Sequence, residues 1–282
     1  MTGWKFAFSR RWAGYLVLTM LFAAVCAGLG FWQLARRDEA LTELFKIDSN
    51  FDSNPVPVAE ALEDLAAFDE SQKWMPVELT GTYLTADEML ARNRPLNVNP
   101  GFEVLTPLLL TDGTIFIVNR GWLPTGQEQD APDTVPAAPS GTVTVVARLK
   151  ASEPDLPGRT ASGNQVATIN LTTIAERLNA PTYTGAYGLM DTESPAATEK
   201  RPAAVLKPIR DEGPHLSYAF QWFVFGLLAF IGLGWALREE YRSVNAEDPE
   251  ERERAEERAR KRAAKPRNDA EIEDELLDRQ RG

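Results

Sequence analysis

The sequence predicts a membrane protein in which two transmembrane helices flank a mostly antiparallel β (α+β) extracytoplasmic domain. Three observations predict it. Residues 12–35 and 216–237 are runs of 24 and 22 residues without a formal charge, and about 20 apolar residues suffice to cross a bilayer. Residues 38–215 contain no further uncharged run of that length. Within them Val104–Leu110 and Thr114–Asn119 flank an Asp112-Gly113 pair, a strong short-range hairpin signal and hence a sign of antiparallel pairing.

The division that follows is a cytoplasmic N-terminus (1–11), a first span (12–35), an extracytoplasmic β-rich domain (36–215), a second span (216–237) and a charged cytoplasmic tail (238–282). Lys5, Arg10 and Arg11 precede the first span with no acid among them, so the positive-inside bias places residues 1–11, and with them both termini, in the cytoplasm. A cleaved signal peptide would have a shorter apolar region of about 7–15 residues ending in small side chains. Only 11 residues precede the span, too few for an Arg/Ser-rich transit peptide, so the expected home is a bacterial plasma membrane. Ala23, Ala24, Ala27 and Gly28 recur at spacings of three and four, giving the first span a face that another helix can approach closely. The second span is the expected partner. Gln33 and Gln221 each place an amide near the ectodomain end, where a partner is needed, and their mutual pairing is one expectation, with a wet or backbone-bonded Gln33 the alternative.

In the middle segment, alternation over Val77–Tyr83 predicts a half-buried strand, and Thr142–Leu149, Val166–Leu171 and the short Tyr187–Met190 are further strand candidates. Leu62, Leu65 and Phe68 predict a helix over Val58–Phe68, and Leu171, Ile174 and Leu178 another after a cap at Asn170. Glu128–Gly141 and Ala151–Gly163 read as loops. In the tail, Glu250–Lys265 places Glu250, Glu256 and Glu257 four residues before Arg254, Arg260 and Lys261, the pattern of a solvated helix.

Charge and composition close several function classes. The chain has 30 basic and 41 acidic residues, and its middle segment carries much of the net charge of −11, which repels nucleic acid. One Cys and one His allow neither an intrachain disulfide nor a usual four-ligand zinc site. Cys26 lies inside the first span and reads as a small buried hydrophobe. Phosphate-binding glycine motifs and a GxSxG elbow are missing from the sequence. A Ser-His-Asp set would have to use His215 at the edge of a membrane helix, so the reading is that the protein is not an enzyme.

What stands out gathers at the outer ends of the two spans. Trp32 and Arg36 lie one helical turn apart, with Gln33 and Arg37 beside them, and His215, Tyr218 and Trp222 form one stripe at i, i+3 and i+7. An imidazole, an aromatic wall and guanidinium groups are what a haem needs for ligation, packing and propionate pairing. The same residue types also collect at interfaces simply as belts and anchors.

Gly30-Phe31-Trp32-Gln33-Leu34-Ala35-Arg36 resembles the opening signature of the SURF1 (Shy1-like) family of cytochrome c oxidase assembly proteins. Pro76–Tyr83, Gly101–Leu108, Val118-Asn119-Arg120-Gly121-Trp122-Leu123-Pro124 and His215–Phe223 agree in the same order, so the resemblance covers roughly residues 12–240. It implies a non-enzymatic membrane factor for the haem-copper (aa3-type) oxidase, which binds haem a transiently and aids its delivery to the catalytic subunit, with haem a synthase a further partner. His215 maps onto the family's candidate haem-iron ligand, with Trp32, Arg36, Tyr218 and Trp222 around the cofactor. Gln33, Arg120, Gly121 and Trp122 fall at motif positions expected to contact a partner. A Lys usual in the family after the first signature is missing, since Asp38, Glu39 and Ala40 stand there. A single His also rules out two-His ligation within one chain. Two other readings stay open at this point: a scaffold that holds oxidase subunits together, and a membrane sensor with the charged tail as its output.

Overall fold

In the computed structural model, residues 3–127, 130–159 and 163–264 are described. Two compact units are present: residues 39–212, and residues 1–38 together with 213–282. Helix α1 (Arg10–Asn50) contributes to both, and α4 (His215–Val244) belongs to the second. Both helices are long and apolar enough to cross a membrane.

In residues 39–212, strands β1 (Val56–Pro57) to β8 (Ala186–Ser194) form one mixed sheet. The intervening strands are β2 (Pro76–Tyr83), β3 (Met89–Ala91), β4 (Gly101–Leu110), β5 (Ile115–Pro124), β6 (Thr142–Ala151) and β7 (Gln165–Val166). Around the order β2–β6–β8–β5–β4 the sheet closes, because β4 pairs back onto β2 through Gly81–Leu110. This small barrel leaves its five strands no free edge. Four of its five seams are antiparallel, but β5–β8 is parallel, as are β1–β2 and β3–β7. The sheet expected to be mostly antiparallel is therefore a mixed one, in which three parallel seams join the antiparallel ones. The chain reaches β8 from β5 by a long connection containing β6, β7 and α3 (Leu171–Leu178), and a connection of that length permits a parallel pair.

The hairpin at Asp112-Gly113 forms: Asp112 Oδ1 accepts from Thr114 N at 2.9 Å, and Gly113 takes φ +87°. Val77, Leu79, Leu108, Phe116, Val118, Val143, Val145 and Leu149 fill one core. A second core lies on the other side of the sheet, where Met89, Leu105, Ile117, Tyr187 and Leu189 meet Leu171 and Ile174 of α3. Leu44 and Ile47 of α1 and Phe51 just beyond it complete this second core. That explains why α1 continues 15 residues past Ala35: its last turns carry a periodic apolar face, and burying it sustains the helix in a charged stretch.

Two local expectations fail for identifiable reasons. Val58–Phe68 forms only one turn, α2 (Val58–Ala61). Beyond it Asp64 Oδ1 accepts from Ala66 N and Ala67 N at 2.8 and 2.7 Å, and the carbonyl of Leu65 accepts from Thr184 N and Gly185 N. These bonds use the backbone groups a helix would need. Val166–Leu171 is strand only at Gln165–Val166, because Asn170 Oδ1 accepts from Thr173 N at 3.0 Å and caps α3.

In the other unit, α1 and α4 run antiparallel. A Cβ on Gly226 would lie 3.5 Å from Cys26 Cβ and 3.8 Å from Ala23 Cα, and one on Gly30 would strike the Phe223 ring at 2.7 Å. The small-residue face therefore meets the second helix at Ala23 and Cys26, whereas a Cβ on Gly28 would meet nothing within 4 Å. Cys26 is 1% exposed. At one end of the seam Arg11 pairs with Glu240, Gly3 N donates to Asn245 Oδ1 at 2.7 Å, and Trp4 stacks on Tyr241. Beyond it α5 (Pro249–Ala263) carries the expected pairs Glu250–Arg254, Glu256–Arg260 and Glu257–Lys261. Lys265 lies outside the described residues, as do 128–129 and 160–162 of the two expected loops.

Candidate functional site

At the opposite end of that seam the lone histidine meets an amide. His215 opens α4 after Pro214, and its Nδ1 lies 2.9 Å from Oε1 of Gln33 on α1. The expected Gln33–Gln221 pair is replaced by this contact. Gln221 follows His215 by six residues, about 240° around the helix, so both cannot face α1. Gln221 is exposed.

The stripe of His215 is the packed face of α4. Ala219 and Gly226 on that face are buried, and His215 and Trp222 on it are half-buried. Trp222 meets Phe225 edge-on at 5.9 Å. Tyr218, at the margin of the stripe, is 48% exposed, and Trp32 on α1 is 54% exposed. Arg36 is exposed as well. His215 and Gln33 are thus in direct contact, while Trp32, Tyr218 and Arg36 present their side chains to the surroundings of the helices.

Gly213, with φ +69°, precedes this helix start, and a Cβ there would lie 3.1 Å from Nε2 of His215. Its missing side chain keeps that ring nitrogen clear. An imidazole held through Nδ1, with Nε2 beside a residue that lacks a side chain and the exposed Tyr218 three residues on, fits the donor set of a single axial haem ligand. Among the described residues no three His, Cys, Asp or Glu side chains gather as a metal-ligand group.

The remaining motif residues lie in the barrel domain and hold it together. Arg120 is 1% exposed. Its Nη1 and Nη2 donate to the carbonyls of Pro136 and Ala137 at 3.0 and 3.3 Å, and it lies 3.7 Å from Glu88 and 3.8 Å from Glu193. Its guanidinium also faces the Tyr83 ring at 5.6 Å. Burial raises the pKa of Glu88, against the opposing hydrogen bond from Thr106 and the charge of Arg120. Arg120, expected to support the site or a partner contact, is enclosed in the barrel, where its side chain straps the 136–137 segment onto it.

Gly121 has φ +129°, and a Cβ there would lie 2.5 Å from the carbonyl oxygen of Ala203. Only glycine permits that approach, which lets Trp122 and Ala203 exchange backbone hydrogen bonds at 2.8 and 2.9 Å. Trp122 is half-buried, and its Nε1 donates to the carbonyl of Arg94 at 2.6 Å. Arg94 in turn makes a two-pronged pair with Glu153 at 2.9 and 2.5 Å. Sequence reading missed this Arg94–Glu153 pair and the Glu88–Arg120–Glu193 cluster, because charges this far apart in the chain carry no periodic signal.

The profile of the SURF1 family matches residues 20–227, about three quarters of the chain. The chain belongs to the SURF1 family. Uncharacterized SURF1-like proteins of Mycobacterium bovis and Mycobacterium tuberculosis are 31% identical to it over 241 residues, covering 84% of this chain and 87% of theirs. Cytochrome oxidase assembly protein SHY1 of Saccharomyces cerevisiae is 27% identical over 129 residues, 44% of this chain and 32% of its own. The SURF1 match takes in the Gln33 signature, the whole barrel and the first turns of α4, including His215, Tyr218 and Trp222. It ends before α5, so the charged tail lies outside what defines the family here.

Proposed function

We propose that this protein is a bacterial plasma-membrane assembly factor for a haem-copper (aa3-type) cytochrome c oxidase. In this reading it binds haem a through His215 and aids its delivery to the catalytic subunit, with haem a synthase as the source. Both termini are cytoplasmic and the barrel is extracytoplasmic. Family membership and the yeast relative, a cytochrome oxidase assembly protein, support the assembly role. The observation that carries the haem reading is the held imidazole: Nδ1 is engaged by Gln33, and Nε2 lies where a side chain on Gly213 would crowd it.

His215 would hold the iron, Trp32, Tyr218 and Trp222 would pack on the macrocycle, and Arg36 would pair with a propionate. Haem a supplies the redox centre that the oxidase requires. The work of this chain is to bind, orient and release it, and single ligation at a helix end suits release. Haem a content and oxidase activity of membranes test this, in cells lacking the protein and supplied with wild type or His215→Ala. The haem reading requires both quantities to fall with His215→Ala.

A second reading, a scaffold that stabilises oxidase subunits without carrying haem, is favoured by Arg120, Gly121 and Trp122, which build a rigid barrel rather than a ligand site. It requires His215→Ala to leave oxidase assembly intact.

A further inference from the structure

We propose that Gln33 is a positioning residue for His215. By accepting a hydrogen bond from Nδ1–H, it fixes the imidazole in one tautomer and presents Nε2 as the ligand nitrogen. The inference rests on the haem reading only for what Nε2 is offered to.

A neutral imidazole has one N–H donor and one acceptor nitrogen. Oε1 of Gln33 lies 2.9 Å from Nδ1, and a carbonyl oxygen can only accept. Nδ1 therefore carries the proton, and the lone pair falls to Nε2. Free imidazole side chains in water favour the opposite tautomer, so the amide is what selects this one.

The surroundings strengthen the selection. Both groups are half-buried at the ends of the apolar runs of their helices, where an amide without a partner is costly. Each satisfies the other across the helix pair. Three residues from Gln33, Gly30 seats the Phe223 ring, and farther along Gly226 seats against Cys26 and Ala23. The ring of His215 is thus aimed by the packing of two helices rather than by its own flexible side chain. Ligating histidines commonly donate their other N–H to an oxygen in this way, which fixes the ring and raises ligand basicity.

Nothing in the chain competes for the readout, because His215 is its only histidine. Full-length protein labelled with 15N-histidine, in lipid bilayers, gives one imidazole whose two nitrogen shifts report the tautomer directly. Wild type is expected to show Nδ1–H with a bare Nε2. Gln33→Leu should move most of the population to Nε2–H, and Gln33→Glu, which keeps an acceptor oxygen, should restore Nδ1–H. A wild-type spectrum with Nε2–H overturns the proposal, as does a Gln33→Leu spectrum identical to wild type. Should Gln33→Leu fail to fold, judged by loss of Cys26 shielding from maleimide, the wild-type and Gln33→Glu spectra still decide it. Titration of the same samples with haemin separates the two ideas. Wild type with Nδ1–H that takes up no haemin overturns the haem reading and leaves Gln33 in its role. Wild type that binds haemin with Nε2–H overturns the role of Gln33 alone.

Discussion

The indole Nε1 of Trp122 donates to the carbonyl oxygen of Arg94 at 2.6 Å, joining β5 to the loop that leads from β3 into β4. The same ring lies over the bare Cα of Gly101, where a Cβ would fall 2.4 Å from Trp122 Cε2. Two stretches far apart in the chain are therefore halves of one fastening. Trp122→Phe keeps most of the apolar contact and removes the donor. It should destabilise the protein by about 1 kcal/mol. Thermal unfolding of full-length protein in detergent checks this.

Arg120 presents a larger effect. Removing it leaves Glu88 and Glu193 near one another without their shared cation, and breaking a buried ion pair costs about 3–5 kcal/mol. Arg120→Met should therefore lower the unfolding midpoint more than Trp122→Phe. Arg120→Lys should rescue only part of the loss, since a single ammonium does not reproduce the two carbonyl bonds to Pro136 and Ala137.

Acidification should first stabilise the barrel and then weaken it. Burial raises the pKa of Glu88 and Glu103 above the ordinary 4.5. Their folded-state carboxyls take up protons before the unfolded chain does, so stability rises as pH falls toward that value. Glu153 behaves oppositely. Burial pushes its pKa up, but the Arg94 hydrogen bonds and the Ile169 N–H outweigh it and hold the carboxylate below 4.5. Its contribution is present above the unfolded pKa and is lost as pH falls through the folded one. Unfolding midpoints measured from pH 7 downward should pass through a maximum on the acid side, and Glu88→Gln should flatten the rise.

Helix packing has its own reporter. Cys26 is shielded by the helix that carries Gly226. Gly226→Leu should force the helices apart and raise the rate of Cys26 alkylation by maleimide at least tenfold, while the barrel unfolds at its usual temperature.

Gly213 tests the clearance at Nε2. Gly213→Ala places a methyl 3.1 Å from that nitrogen and in a backbone region that disfavours side chains, at about 1 kcal/mol of strain. Haemin affinity should fall by more than that strain explains, tenfold or more, with the Gln33 contact retained.

The two long apolar helices were legible because uninterrupted apolar length is a one-dimensional property. The hairpin was legible because Asp112-Gly113 declares it locally. Local patterns misled where tertiary bonds overrode them. Leu62, Leu65 and Phe68 have helical spacing, yet the carbonyl of Leu65 serves Thr184 and Gly185 instead. The parallel β5–β8 seam was invisible, since alternation does not encode strand direction. At the candidate site, residue types pointed to His215 and its stripe. The partner of His215 did not follow from them, because Gln33 lies 182 residues away and only the packing of two helices brings the pair together. The enclosure of Arg120 was out of reach for the same reason, since its buried counterions, Glu88 and Glu193, lie elsewhere in the chain.

Whether His215 binds haem a is decided by the visible absorption spectrum of full-length protein purified after co-expression with the enzymes that make haem a, wild type beside His215→Ala. Near-stoichiometric haem a is expected in wild type and its loss in the variant. Wild type purified without haem a, or a variant that retains it in full, would rule out His215 as the haem ligand.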